Sequence, residues 1–275
     1  LKDLAMTNPT GRVLIIAGSD SGGGAGIQAD IKAVTMLGGH AMTAVTAITV
    51  QDTKGVHGVW AVPLDAVLGQ IKVTLADIGA DTIKTGMLGS AQLVEAIAEA
   101  LYAPAALTPR VIDPVMVATS GDRLVDERAI GAIRSELIPR ARLVTPNAPE
   151  AEVLTGKPVE TIDGQRRAAE RLLELGAHGA LVKGGHIDGN VIHDVLQTTT
   201  GEWIFESPRI RTTSTHGTGC TLASAIAALL AKGRSVPEAV EEGRDYLLGA
   251  IKAARGLGKG HGPVHHGWLL DELKR

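Results

Sequence analysis

The chain has 275 residues, 44% of them hydrophobic and 21% charged, with a formal net charge of −3; it can bury one large α/β core or two small ones. This near-neutral balance and a 2% share of aromatics exclude the basic footprint and stacking platforms of a nucleic-acid binder. The single cysteine excludes an internal disulfide framework and a cysteine-clustered zinc site, and it fits a reducing, cytoplasmic setting. No membrane span is expected, because the apolar run at 41–50 and the stretch after Cys220 are both too short. The N-terminus lacks an apolar signal core. Residues 1–11 are expected to form an N-terminal extension, with Met6 as the natural start. With no composition break, linker or repeat, 12–275 reads as a single domain.

Residues 12–16, apolar and bounded by Gly11 and Gly18, predict a buried strand. The run Ala17-Gly18-Ser19-Asp20-Ser21-Gly22-Gly23-Gly24-Ala25-Gly26 then leads to a helix over 27–37, the first unit of a βαβ fold. Strand-like 40–49, rich in Val, Ile and Thr, is followed by turn-rich 50–59, expected as a hairpin or flap standing off the main sheet. Helical periodicity over 63–76 begins at Pro63. A strand at 81–84, a loop at 85–89 and a helix at 90–101 with Ser90 as N-cap repeat the pattern. Residues 110–115 read as a strand, 126–137 as a helix, and 142–145 as a strand before a short helix to 154. A helix over 165–175 and a strand at 180–183 follow. Stretches 191–199 and 203–210 predict an antiparallel hairpin, and helices over 221–231 and 236–255 close the chain. Alternating strands and helices imply an α/β fold with a largely parallel sheet covered on both faces.

Ligands in such folds bind beyond the carboxyl ends of the strands. The polar and glycine residues after each strand should therefore gather at one rim. They are Gly18 to Gly24, Gln51, Gly86-Met87, Asp113, Asn147 to Glu150 and Lys183 to Gly185. The turn Thr215-His216-Gly217-Thr218-Gly219-Cys220-Thr221, just before a helix, can join them. Unpaired N–H groups there, with the helix dipole, would make an anion site without any basic side chain. The same turn reads equally as an ordinary glycine-rich loop around a buried cysteine.

Familiar nucleotide motifs are missing. The first glycine loop lacks the third glycine of G-x-G-x-x-G, and neither Gly156-Lys157 nor Gly258-Lys259 continues into a P-loop. No G-x-S-x-G elbow is present. The first loop is expected to be a flexible bend that lets a small ligand approach the backbone. Asp113 reads equally as a Mg²⁺ ligand, direct or through water, or as the cap of the next turn. Asn147 and Glu150 could be only the N-cap and N3 of a helix, or Glu150 could order water around Mg²⁺. Lys183 is a phosphate charge or a solvated lysine. The pairs His265-His266 and His186/His193 lack metal-ligand spacing.

Seven motifs in order resemble those of bacterial hydroxymethylpyrimidine/phosphomethylpyrimidine kinases. They are Ala17 to Asp30, Lys84-Thr85-Gly86-Met87-Leu88, Asp113-Pro114-Val115-Met116, Thr145-Pro146-Asn147-x-x-Glu150, Lys183-Gly184-Gly185-His186, His216 to Thr221 and Gly260-x-Gly262-Pro263-Val264-His265-His266. Together they span nearly the whole chain. The resemblance implies a ribokinase-like fold with a small flap, a homodimer, and two successive phosphorylations of a hydroxymethylpyrimidine by ATP and Mg²⁺ in thiamine biosynthesis. It implies that Gln51 hydrogen-bonds the aminopyrimidine and Val115 adds backbone contacts. Gly18, Asp30, Met87 and Cys220 would complete the substrate pocket. Asn147, Glu150 and Lys183 would serve ATP and Mg²⁺, and Gly217, Thr218, Gly219 and Cys220 the anion hole.

A helix N-terminus lowers a thiol pKa, so Cys220 is expected to be able to deprotonate the substrate hydroxyl. A neutral thiol would also spare an anionic phosphate nucleophile the repulsion of a fixed carboxylate. The alternatives are a pyridoxal kinase on the same scaffold and a non-catalytic phosphate-binding regulatory protein.

Overall fold

The computed structural model describes residues 11–103, 105–117, 121 and 124–272. The expected N-terminal extension lies outside them except for Gly11, which is buried against Ala231 and whose carbonyl accepts the His40 N–H. Gly11 therefore belongs to the packed body.

Nine strands form one sheet: β1 (Arg12–Asp20), β2 (His40–Gln51), β3 (Val56–Ala61), β4 (Thr82–Thr85), β5 (Arg110–Ile112), β6 (Leu143–Val144), β7 (Gly179–Val182), β8 (Val191–Thr198) and β9 (Gly201–Pro208). Their order is β3-β2-β1-β4-β5-β6-β7-β8-β9. The six strands from β2 to β7 pair in parallel, and β3, β8 and β9 add antiparallel edges. The hairpin at 50–59 thus continues the main sheet as its edge instead of standing off it. Chain order reverses between β1 and β4, the topological switch point at which such sheets open a crevice.

Helices α1 (Gly26–Met36), α2 (Leu64–Asp77), α3 (Ala91–Ala100), α4 (Glu127–Ala132), α5 (Ala148–Thr155), α6 (Ile162–Glu174), α7 (Thr218–Ala231), α8 (Val236–Lys252) and α9 (Trp268–Glu272) cover the sheet. The helix expected over 126–137 is instead α4 followed by a π turn, Ile133–Leu137. Alternation along β1 divides the core. Leu14 and Ile16 join the cluster under α2 to α6, whereas Val13, Ile15 and Ala17 join the one under α7 and α8.

Capping fixes the helix starts. Ser90 accepts from Leu93 N, Asp126 from Ala129 N and Thr161 from Gly164 N. Helices α5 and α8 open with complete capping boxes, Asn147/Glu150 and Ser235/Glu238. Helix α7, like α1 and α2, starts without a side-chain cap; it is small-residue and buried almost all round, as befits a central helix.

Candidate active site

A cleft of about 760 Å³ runs along the carboxyl edge of the sheet. Strand order arranges its lining. Gly18 near the end of β1, Gln51 at the end of β2 and Met87 after β4 lie on one side, and Asp113, Asn147, Glu150 and Lys183 follow β5 to β7 in the middle. Ile210 after β9, with Leu247 and Ile251 of α8, makes an apolar wall.

The turn at 215–221 starts its helix earlier than expected. Thr218, Gly219 and Cys220 form the first turn of α7, with Gly217 as N-cap at φ +79. Only glycine adopts that φ without strain, and a Cβ there would lie 1.8 Å from the Gly24 carbonyl oxygen. The two glycine loops therefore pack backbone to backbone. A Cβ on Gly219 would lie 3.4 Å from Lys183 Nζ and 4.0 Å from Asp113 Oδ2. The uncapped α7 N-terminus, a cation and a carboxylate thus meet within one bond network's reach. The first-turn N–H groups and the helix dipole favour an anion at this point.

The first glycine loop turns several of its backbone N–H groups onto one of its own side chains. Asp20 turns its carboxylate inward, and Gly22 N, Gly24 N and Ala25 N donate to it at 2.8, 2.9 and 2.8 Å. His216 Nε2 lies 2.8 Å from the same carboxylate. Burial works against the Asp20 charge, but His216 and these N–H groups hold its carboxyl below the usual range. The expected flexible bend is instead a loop wound on a buried anion and bolted to the α7 entrance. Sequence reasoning missed Asp20 and His216 as a pair; only an aspartate just before a glycine cluster hinted at it.

Lys183 Nζ is 3.4 Å from Asp113 Oδ1, which also receives Thr145 Oγ1 at 3.3 Å. Asp113 Oδ2 is buried and has no partner. Burial opposes the charge on Lys183, but Asp113 and Glu150 outweigh it and raise its pKa. Burial pushes the Glu150 carboxyl up to about 7, with Lys183 opposing and Asp113 reinforcing the shift. Glu150 accepts from Asn147 N at 2.8 Å and Asn147 Oδ1 from Glu150 N at 2.9 Å, so both cap α5.

Among the described residues no group of three or more His, Cys, Asp or Glu side chains could hold a metal. The orphaned Asp113 oxygen and the neighbouring Glu150 nevertheless fit Mg²⁺, which keeps several waters and takes one or two carboxylates plus substrate phosphates.

Two expectations need correction. Asp30 does not line the cleft. It is fully buried, with Lys84 Nζ at 2.9 and 3.0 Å and Ser224 Oγ donating at 2.7 Å. Nor is the Cys220 pKa lowered. Burial pushes the thiol up to about 12, outweighing Lys84 and the Gly26 N–H that donates to the sulfur. The thiol is neutral near pH 7 and is no resting base. Val115 lines the cleft, but its N–H already donates to Asp113 O at 2.8 Å. That donor is not free for a ligand.

The β2–β3 turn is tethered. Thr53 Oγ1, in the β2–β3 turn, accepts from Lys259 N and Gly260 N at 3.1 Å each, and Thr53 O accepts from His261 N at 2.7 Å. At the cleft wall Arg244 and Asp194 pair at 2.8 Å, and Asp194 also accepts from Gly184 N beside Lys183. No spacing in the sequence announces these contacts.

The family model for phosphomethylpyrimidine kinase matches residues 20–265. The chain is 48% identical to the hydroxymethylpyrimidine/phosphomethylpyrimidine kinase of Streptomyces coelicolor, over 97% of this chain and all of that protein. It is also 48% identical to the thiamine biosynthesis bifunctional protein ThiED of Geobacter sulfurreducens, over 97% of this chain and 54% of that one. In structure it is similar to an ADP complex of Bacillus subtilis pyridoxal kinase, with TM-score 0.88 and 35% identity, covering 95% and 99% of the two chains.

Proposed function

The chain belongs to the phosphomethylpyrimidine kinase family, and we propose that it phosphorylates 4-amino-5-hydroxymethyl-2-methylpyrimidine and then its monophosphate, with ATP, in thiamine biosynthesis. The observation that carries this reading is the make-up of one cleft. It joins an amide, Gln51, to an uncapped helix N-terminus and to the Asp113–Glu150–Lys183 group. Sequence identity favours the pyrimidine over pyridoxal, although the fold is shared with a pyridoxal kinase.

Phosphoryl transfer needs little covalent help; it needs in-line positioning and stabilised charge on the equatorial oxygens. The Gly219 and Cys220 backbone at the α7 N-terminus cradles the transferred group, with Gly217 setting the turn and Thr218 opening the helix. Lys183 neutralises the phosphate oxygens. Gln51 holds the ring, while Gly18, Met87, Val115 and Cys220 enclose it. Asn147 keeps Glu150 aimed at the metal region, and the Ile210–Leu247–Ile251 wall takes the apolar faces of the adenine. Asp113 and Glu150 would hold Mg²⁺, which when bound screens the phosphate charge. Cys220, protonated at rest, stands beside the acceptor oxygen as a neutral group. Incubation with ATP and either pyrimidine, its monophosphate or pyridoxal, with products identified by mass, tests the reading. Phosphorylation of pyridoxal alone would overturn it.

The raised Glu150 pKa gives a pH dependence. With its carboxyl raised to about 7, Glu150 would be increasingly protonated and a poorer Mg²⁺ ligand as the pH falls below that, and a better one as it rises. Apparent Mg²⁺ affinity should therefore fall by up to about tenfold per pH unit below 7. Metal titrations at pH 6 and 8 check this, and Glu150→Gln should flatten the dependence.

A homodimer in the cytoplasm fits a soluble-metabolite kinase with one cysteine. The outer edge of the sheet supports a second copy, since Ile48 and its cross-strand partner Trp60 are 54% and 59% exposed, with Val50 beside them. Trp60→Lys should shift the protein to monomer in sedimentation velocity. An unchanged sedimentation coefficient would remove this face from consideration.

A further inference from the structure

The inference concerns Thr49 and rests on the aminopyrimidine reading of the acceptor end of the cleft. Gln51 is held tightly. Ser21 Oγ donates to its carbonyl at 2.8 Å and accepts its N–H at 2.9 Å. A register shift between Val50 and Gln51 re-aims the strand end there. The side-chain amide meets Thr49 Oγ1 at 3.2 Å, through the atom placed as Oε1. The same hydroxyl lies 2.9 Å from the Ser19 carbonyl oxygen. Thr49 is buried, and Ser19, Thr49 and Gln51 all line the cleft.

A hydroxyl has one proton. Ser19 O can only accept, and its contact is the shorter, so it takes that proton. Thr49 Oγ1 is left presenting lone pairs to Gln51. An amide satisfies lone pairs only with its NH₂ end, and the two ends of the amide have nearly the same shape. A half-turn of the amide brings Nε2 to Thr49.

We propose that Thr49 is a specificity-determining positioning residue. By donating to Ser19 O it orients Gln51 so that Oε1 and the remaining N–H face the ligand. That edge sets an acceptor beside a donor, the complement of an exocyclic amine next to a ring nitrogen. In the opposite orientation the edge would present the same two groups in reversed order, and Oε1 would face the lone pairs of Thr49. A 4-oxo ring presents the reversed order, a carbonyl beside a ring N–H, and can pair only if the amide turns over and loses its bond to Thr49. Pyridoxal carries a hydroxyl and an aldehyde where such an amine would be.

The test compares kcat/KM for 4-amino- and 4-oxo-5-hydroxymethyl-2-methylpyrimidine in the parent chain, Thr49→Val and Thr49→Ser. Valine keeps the shape of threonine without its proton or lone pairs; serine keeps the hydroxyl. The parent should favour the amino compound by about 100-fold or more, the range available to a site that hydrogen-bonds its substrate. Thr49→Val should narrow that ratio about tenfold, mainly through KM, and Thr49→Ser should restore it. A merely structural role would depress both substrates alike and leave the ratio unmoved. An unchanged ratio in Thr49→Val, or an equal loss in Thr49→Ser, overturns the proposal. If the parent phosphorylates neither pyrimidine, the aminopyrimidine reading falls and the proposal with it, a result distinct from an unchanged ratio.

Discussion

Cys220→Asp is expected to keep phosphorylation of the hydroxymethyl group and to lose phosphorylation of the monophosphate. The physical reason lies in the charges already present. Asp113 Oδ2 comes within 4.0 Å of a Cβ built on Gly219, the residue before Cys220, and burial keeps the thiol neutral. An alcohol acceptor brings no charge, so a carboxylate beside it does no harm and can take its proton. A phosphate acceptor arrives as an anion. Two like charges at about 4 Å repel by roughly 4 kcal/mol at an effective dielectric of 20, which is nearly 1000-fold in rate. Separate steady-state assays of the two steps decide it. If the variant carries out the second step as well as the first, the neutral thiol is not what admits the phosphate.

Lys84→Met should lower stability by about 3–5 kcal/mol, the usual cost of breaking a buried ion pair on one side. Lys84 and Asp30 are both fully buried. Burial opposes the lysine charge, but Asp30 more than compensates, and Lys84 is held protonated well above its ordinary range. Without it, among the described residues Asp30 keeps the Ser224 hydroxyl as its side-chain partner. At about 2–4 °C per kcal/mol for a chain of this size, thermal unfolding should shift down by on the order of 10 °C. The double variant Asp30→Asn/Lys84→Met should recover much of that loss, since it removes both charges together. A single variant as stable as the parent would show that the pair contributes little.

Much of the fold can be read from the chain because strand and helix periods are strong. Every predicted strand is present, and Ser90, Asn147 and Glu150 take the cap positions their residue types favour. The rim of the site is legible for the same reason, since parallel strands deliver their following residues to one edge. The surroundings of individual side chains are less legible. Asp30 sits in the opening glycine motif, yet α1 points it into the core toward Lys84, because a helix face and not sequence distance decides burial. The Cys220 environment likewise depends on what packs over α7. A helix dipole predicts a lowered pKa, and burial reverses it. Thr49 and Arg244 carry no motif at all, and only three-dimensional pairing reveals them.

The tether at Thr53 has a kinetic consequence. Three main-chain N–H groups from 259–261 converge on one threonine more than 200 positions earlier. The hairpin that carries Gln51 can then swing outward only if the segment before Pro263 lets go, and the bonds must break together. That segment reaches the α7 entrance, because His216 N donates to Gly262 O. Departure of the finished diphosphate and loosening of the phosphate cradle should therefore be coupled. Turnover in this enzyme should be paced by the release of that clasp, and a Thr53→Ala chain should exchange ligand faster while holding it less tightly.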